Sequence, residues 1–286
     1  MLMNMKDLLA VASEHNFAIP AFNVSHYTMF KHIMEASEEK NAPVIIEIHP
    51  DELKHIGPEM LASIKERIYK SPVPACIHLD HCDDLGVIVK AIQAGFTSVM
   101  FDGSHLPFEE NIARCKEVCA VAHPANVSVE GELGTIGSLD AQAEAGADTI
   151  IYTDPEDAVK FVEESGIDTL AIAIGTSHGL YPKGMIPELK LDLLKEIDAK
   201  VAAPLVLHGG SGNPDKEISE ACTLGVNKIN ISSDIKDAYY KKMREVLTDM
   251  SLREPNCIEP ACLAAMREVV NHKIDLFHAT GKAALY

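Results

Sequence analysis

Apolar residues follow two alternating rhythms along this chain. Short β-branched runs occupy residues 17–24, 44–48, 74–79, 98–101, 127–133, 169–174, 205–208 and 228–231, each of buried-strand length. Between them, at 29–40, 59–69, 85–94, 109–122, 155–164, 189–199 and 215–223, apolar positions recur at three- and four-residue spacing, as on a helix with one buried face. Strands that alternate with helices imply parallel pairing, because a parallel strand needs a crossover to return to the same edge. Eight such units suit a single closed (β/α)8 TIM barrel, which would consume roughly 250 residues. No Pro/Gly/Ser linker divides the chain, so one domain over 1–286 is expected. Further helical stretches at 235–247 and 260–277 add extra C-terminal helices beyond the eighth strand. The competing arrangement is an open doubly wound sheet, weakened by the lack of G-x-G-x-x-G after the first strand.

Composition narrows the class of partner. The 286 residues are 47% hydrophobic and 24% charged, with a formal net charge of -18. Such a charge argues against nucleic acid or an anionic membrane surface. It does not exclude a small anionic substrate, since helix N-termini and a metal ion supply local positive potential. Asp7, Glu14 and His15 interrupt the N-terminal stretch, and no charge-free run is long enough to span a bilayer. Seven cysteines without a regular framework fit reduced thiols, and a cytoplasmic location is expected.

In a barrel of this kind, reactive groups gather where strands end and βα loops begin. Here the third predicted strand ends His78-Leu79-Asp80-His81 and the fourth runs into Asp102-Gly103-Ser104-His105. The fifth ends at Glu130-Gly131-Glu132, and the sixth leads to Ser177-His178-Gly179. The seventh gives His208-Gly209-Gly210-Ser211-Gly212, and the eighth Asn230-Ile231-Ser232-Ser233. His81, His178 and His208 can converge on one axial point, and three imidazoles with an open fourth position make a catalytic zinc arrangement. Any one of them alone reads as a loop histidine with an ordinary hydrogen bond; three at strand ends favour the metal. His78 is expected to face the helices, and His105 to stay outside the metal shell. The glycine-rich turn at 209–212 together with 230–233 fits a phosphate site built from the last two loops.

With these residues in place, the chain resembles the class II ketose-bisphosphate aldolases, of both the fructose- and tagatose-bisphosphate types. The likeness rests on HLDH at 78–81, DGSHLPFEENI at 102–112 and ELGTIG at 132–137. DPEDAVKFVEESGIDTLAIAIGTSHGLY at 154–181 and PLVLHGGSG at 204–212 extend it, and it runs from Phe22-Asn23-Val24 to Gly281-Lys282-Ala283. The resemblance implies zinc on His81, His178 and His208, with Glu132 and Asp102 close by at an alternate metal position. Zinc would stabilise the enediolate of dihydroxyacetone phosphate as a Lewis acid. Asp80 would exchange the proton on the C4 oxygen, and Asn230 would hydrogen-bond the enediolate. Gly179, Gly209, Ser211, Ser232 and Ser233 would hold the phosphate, with Asn23, Gly210 and Ile231 among the substrate contacts. A monovalent cation (Na+ or K+) near the phosphate and assembly as a homodimer or homotetramer also follow from the resemblance. A metal enediolate needs no Schiff-base lysine, and none stands in the strand-end clusters.

Departures from the family pattern leave the aldehyde half open. The loop glutamate that acts as base is replaced around 137–140, so Asp140 becomes the candidate base, with Glu144 as the other. Glu47 and His49 end the second strand where a glutamine and a small residue are usual. Cys82 replaces a glycine beside His81, as a packed thiol or a soft ligand, and Glu254-Pro255-Asn256 stands in a DPR-like segment. These changes are expected to lie where the aldehyde binds, and the usual second phosphate would then be absent. The rivals are a zinc hydrolase on the same barrel, which does not need the phosphate loops, and a non-catalytic aldolase-like subunit, which should have lost its zinc ligands.

Overall fold

β1 (Ile19–Asn23), β2 (Val44–Ile48), β3 (Ala75–Cys82), β4 (Ser98–Phe101), β5 (Ser128–Leu133), β6 (Thr169–Ile172), β7 (Leu205–Leu207) and β8 (Val226–Ile231) pair in sequence order. All pairs are parallel and β8 returns to β1, closing the barrel. The computed structural model describes residues 1–139, 145–147 and 149–286. Strand residues are almost all buried because the helices cover the outside while side chains fill the inside. Two-residue stretches, Gly137–Ser138 and Ser177–His178, form a separate parallel pair above β5 and β6.

Helices α1 (Met5–Glu14), α2 (Tyr27–Glu39), α3 (Pro50–Ile56), α4 (Met60–Tyr69), α5 (Leu85–Ala94) and α6 (Phe108–Ala122) precede α7 (Pro155–Ser165), α8 (Leu191–Asp198), α9 (Asp215–Thr223), α10 (Ser233–Val246) and α11 (Pro255–Leu276). Helix α1 is absent from the expected pattern, yet Met5, Leu8, Leu9 and Ala12 are fully buried at one-face spacing. It plugs the N-terminal mouth: Met3 N bonds Ala75 O and Met5 N bonds Ser128 Oγ, at the starts of β3 and β5. Helix α3 is also an addition, started by a capping box in which His49 Nδ1 accepts from Asp51 N and Glu52 accepts from His49 N. Helix α11 begins five residues before the expected start, with Pro255 in its first turn where no N–H is required; Pro260 is interior.

β3 carries an irregularity that shapes the site. Leu79 pairs with Val99 but Cys82 pairs with Phe101, so three steps on β3 oppose two on β4. This extra residue is a β-bulge, and His81 takes a left-handed φ of 43° within it. Regular alternation would turn His81 away from the side that Asp80 faces; the bulge brings both to the mouth.

Candidate active site

Alternate residues of β2, β3, β5 and β8 line the inside of the barrel with polar groups. At the floor, Lys228 Nζ lies 2.8 Å from Glu47 Oε1 and 2.9 Å from Glu130 Oε2, and all three side chains are fully buried. Burial alone would favour the neutral amine, but Glu130, Glu47 and Asp80 outweigh it and raise the Lys228 pKa. No lysine was expected in the strand-end clusters, and Lys228 lies below them, inside the barrel. Lys228 is present two residues before Asn230, but as an ion-paired ammonium rather than the free amine that Schiff-base chemistry needs.

His78 is a second correction. It was expected to face the helices, but residues two apart share a strand face, so it points inward with Asp80. Its Nδ1 lies 2.8 Å from Ser98 Oγ, and burial followed by the Lys228 charge pushes its pKa down to about 3. It is a neutral ring in the floor.

Above this floor three imidazoles meet. His81 Nδ1 is 2.8 Å from Asp102 Oδ2, and His208 Nε2 is 2.7 Å from Glu130 Oε1. Each carboxylate occupies one ring nitrogen and leaves the other for a ligand. His81 Nε2, His208 Nδ1 and His178 Nδ1 are buried without a hydrogen-bond partner. Ring centroids stand 4.8, 4.5 and 6.0 Å apart, and one ligand atom from each histidine falls within 4.8 Å of the others. Orphaned buried nitrogens are costly unless something binds them, and this donor set fits zinc. Glu132 Oε2 approaches His208 Nδ1 at 3.1 Å, and His81, Asp102 and Glu132 form a second group able to take a cation.

The electrostatics follow from this crowding. Burial opposes charge on His81, yet Asp80 and Asp102 push its pKa up to about 10. Burial and His81 oppose charge on His208, yet Glu130 and Glu132 raise it to about 9. His178, buried beside the other two rings, is held well below the usual histidine range. Burial, then the Asp102 charge, raises the pKa of Glu132. Burial also works against Asp80, but His81, Lys228 and His208 hold it as a carboxylate well below the usual range. Asn23 Nδ2 donates to Asp80 Oδ2 at 3.0 Å and Asn230 Nδ2 to Oδ1 at 3.1 Å, fixing the carboxylate plane.

Beside Asp80 opens a narrow cleft. Asn23, Asp80, His81, His178 and Asn230 line it together with Gly179, Gly209, Ser211, Ser232 and Ser233. Gly209 has a φ of 63°, and a Cβ there would meet Ser177 O at 2.6 Å, so a side chain would push this loop off the segment carrying His178. Helix α10 starts at Ser233 and brings its positive end to the cleft. Gly210 and Ile231 stand behind this wall: Gly210 N donates to Asn230 O, and the Ile231 side chain alternates into the core.

Asp140 and Glu144 lie outside the described residues. The segment just before them is anchored at the site, since Leu139 N donates to His178 O at 3.0 Å. Cys82 is a packed thiol: its Sγ donates to Asp84 O, and burial pushes its pKa up to about 11. The family departures occupy separate places in the fold. Glu47 belongs to the buried floor, His49 caps α3, and the exposed residues 254–256 open α11. Residues that strand-end reasoning passed over are Glu130 as partner of His208, Lys228, and the inward His78; the signal for all three was two-residue spacing from Glu132, Asn230 and Asp80.

The family model described as "Fructose-bisphosphate aldolase class-II" matches residues 3–282. A fructose-bisphosphate aldolase of Staphylococcus aureus is 39% identical over 287 residues, covering 99% of both chains. The crystal structure of the YdjI aldolase from Escherichia coli K12 superposes with a TM-score of 0.88 at 33% identity, over 99% of this chain and 100% of that one. A fructose-bisphosphate aldolase from Campylobacter jejuni, 22% identical with a TM-score of 0.83 over 98% of this chain and 96% of that one, shares the fold. With nearly its whole length matched, the chain belongs to the class II fructose-bisphosphate aldolase family and is an aldolase, a carbon–carbon lyase.

Proposed function

We infer that the protein is a zinc-dependent aldolase that reversibly cleaves a ketose 1-phosphate or 1,6-bisphosphate to dihydroxyacetone phosphate and an aldehyde. The observation that carries this reading is the convergence of three buried histidine nitrogens beside Asp80 and the cleft at the α10 N-terminus. His81, His178 and His208 would hold the metal, and zinc there would supply Lewis acidity toward the dihydroxyacetone oxygens. Asp80, ionised and held by two amides, accepts the proton from the C4 hydroxyl as the C3–C4 bond breaks, and returns it in condensation. The bond pair is left on the three-carbon half, next to Asn230. Asp140 or Glu144 is the carboxylate that returns a proton to C3. The loops at 209–212 and 232–233 hold the 1-phosphate with backbone and hydroxyl donors. The unbridged cysteines support a cytoplasmic location.

The test is cleavage of fructose 1,6-bisphosphate, tagatose 1,6-bisphosphate and ketose 1-phosphates, with and without prolonged chelation. Dihydroxyacetone phosphate should form, activity should vanish on chelation, and zinc should restore it. Inactivation by borohydride with substrate, or full activity without metal, would point to a Schiff-base enzyme.

A further inference from the structure

A buried lysine from outside the barrel reaches the back of the phosphate loops. Lys273, on α11, is 4% exposed, and its Nζ lies 2.8 Å from Asp234 Oδ2. Asp234 joins the two loops: its N–H donates to Ser211 Oγ at 3.2 Å, and its Oδ2 accepts from Gly212 N at 3.3 Å. It also follows Ser233, so its carboxylate stands one residue from the cleft wall. The fold therefore uses an acidic residue to tie together the loops assigned to an anion. Other nearby cations are held in pairs of their own, Lys236 with Glu52, Lys241 with Asp237 and His272 with Asp215.

We propose that Lys273 is a charge-cancelling positioning residue for the substrate phosphate: it neutralises Asp234, whose bonds to the 209–212 loop are needed but whose charge would repel the phosphate. This rests on the reading that those loops hold the 1-phosphate. Without Lys273, the charge of the half-buried Asp234 carboxylate would act on a phosphate through incompletely screened space, weakening its binding on the order of tenfold. The C-terminal helix α11 thus contributes to substrate affinity without touching the substrate.

The test compares wild type, Lys273→Met, Lys273→Arg and the double variant Asp234→Asn/Lys273→Met. Inorganic phosphate binding to the full chain is measured by calorimetry, together with KM and kcat for fructose 1,6-bisphosphate. Lys273→Met should weaken phosphate and raise KM about tenfold with kcat little changed, Lys273→Arg should match wild type, and the double variant should recover most of the loss. A purely structural brace predicts the opposite for the double variant, which would then bind as weakly as Lys273→Met or worse. That outcome, or wild-type affinity in Lys273→Met, overturns the proposal while leaving the phosphate site standing. Absence of phosphate binding by wild type removes the phosphate reading itself, and the role of Lys273 with it.

Discussion

Asp80 and His81 are consecutive in the chain yet face the same cleft, which an unbroken strand forbids. The bulge in β3 resolves this, at the cost of a left-handed histidine whose ring is then fixed by Asp102. Strand-end reasoning could place both residues near the mouth but could not foresee the bulge, since nothing in His78-Leu79-Asp80-His81 marks an unpaired residue. It also set His78 on the outer face, although the spacing of two to Asp80 already contradicted that. Asp80→Ala should lower cleavage by roughly 10²–10⁴-fold, the usual worth of a positioned acid–base group. Solvent exchange of the dihydroxyacetone phosphate hydroxymethyl proton should survive better, because another carboxylate performs it; equal loss of both would reject the C4 assignment. Glu130→Gln keeps an acceptor for His208 Nε2 but removes the charge that makes the ring a better donor to metal. Zinc affinity, read by competition with a chromophoric chelator, should fall about ten- to a hundredfold. Unchanged affinity would leave Glu130 as a partner of Lys228 alone.

Elements were legible where periodicity was long and one-sided. The boundaries of β2, β4, α5 and α9 coincide with the apolar runs themselves, and α5 is marked at both ends, by the capping Asp84 and by Gly95. Helix α1 was passed over because its first turn follows Met-Leu-Met-Asn, with apolar residues on both sides of the cap that obscure the period. What no element-level pattern displays is the pairing of Glu47 on β2 with Lys228 on β8, since β1 stands between them in the barrel. Burial and the Asp80 charge raise Glu47 to about 8, with Lys228 opposing. A carboxyl whose folded pKa is raised loses stability as pH climbs from the unfolded value near 4.5 to about 8, because only the unfolded chain releases its proton there. Glu47→Gln removes that titration. The stability of the variant minus that of wild type, from urea denaturation at pH 5 and pH 8, should therefore shift toward the variant by about 2–4 kcal/mol as pH rises. A difference constant across this range would mean that Glu47 is already ionised with Lys228 in the folded state at pH 5.

At the scale of the whole molecule, eight regular βα units make closure the natural reading of the chain, and parallel neighbours in sequence order leave little freedom in topology. Closure in turn accounts for the site: His81, His178 and His208 are far apart along the chain but stand at or just beyond the C-terminal ends of β3, β6 and β7, which open on one mouth. The ligand atoms converge only when those three units sit in register, so a metal held there binds the folded barrel and scarcely the unfolded chain. Mass action then stabilises the fold by about 4 kcal/mol when free zinc is a thousandfold above its dissociation constant. In a chain of this size roughly 2–4 °C of Tm accompanies each kcal/mol, so zinc should raise the melting temperature of chelator-treated protein by about 10 °C. His178→Ala removes a ligand from a loop outside the barrel strands and should abolish most of that shift while leaving the metal-free melt nearly unchanged. His105→Ala, at an exposed position on the next loop round from His81, should keep the full shift. A zinc-induced rise of the same size in His178→Ala would place the stabilising metal elsewhere, and no rise in wild type would remove the three-histidine site as a zinc centre.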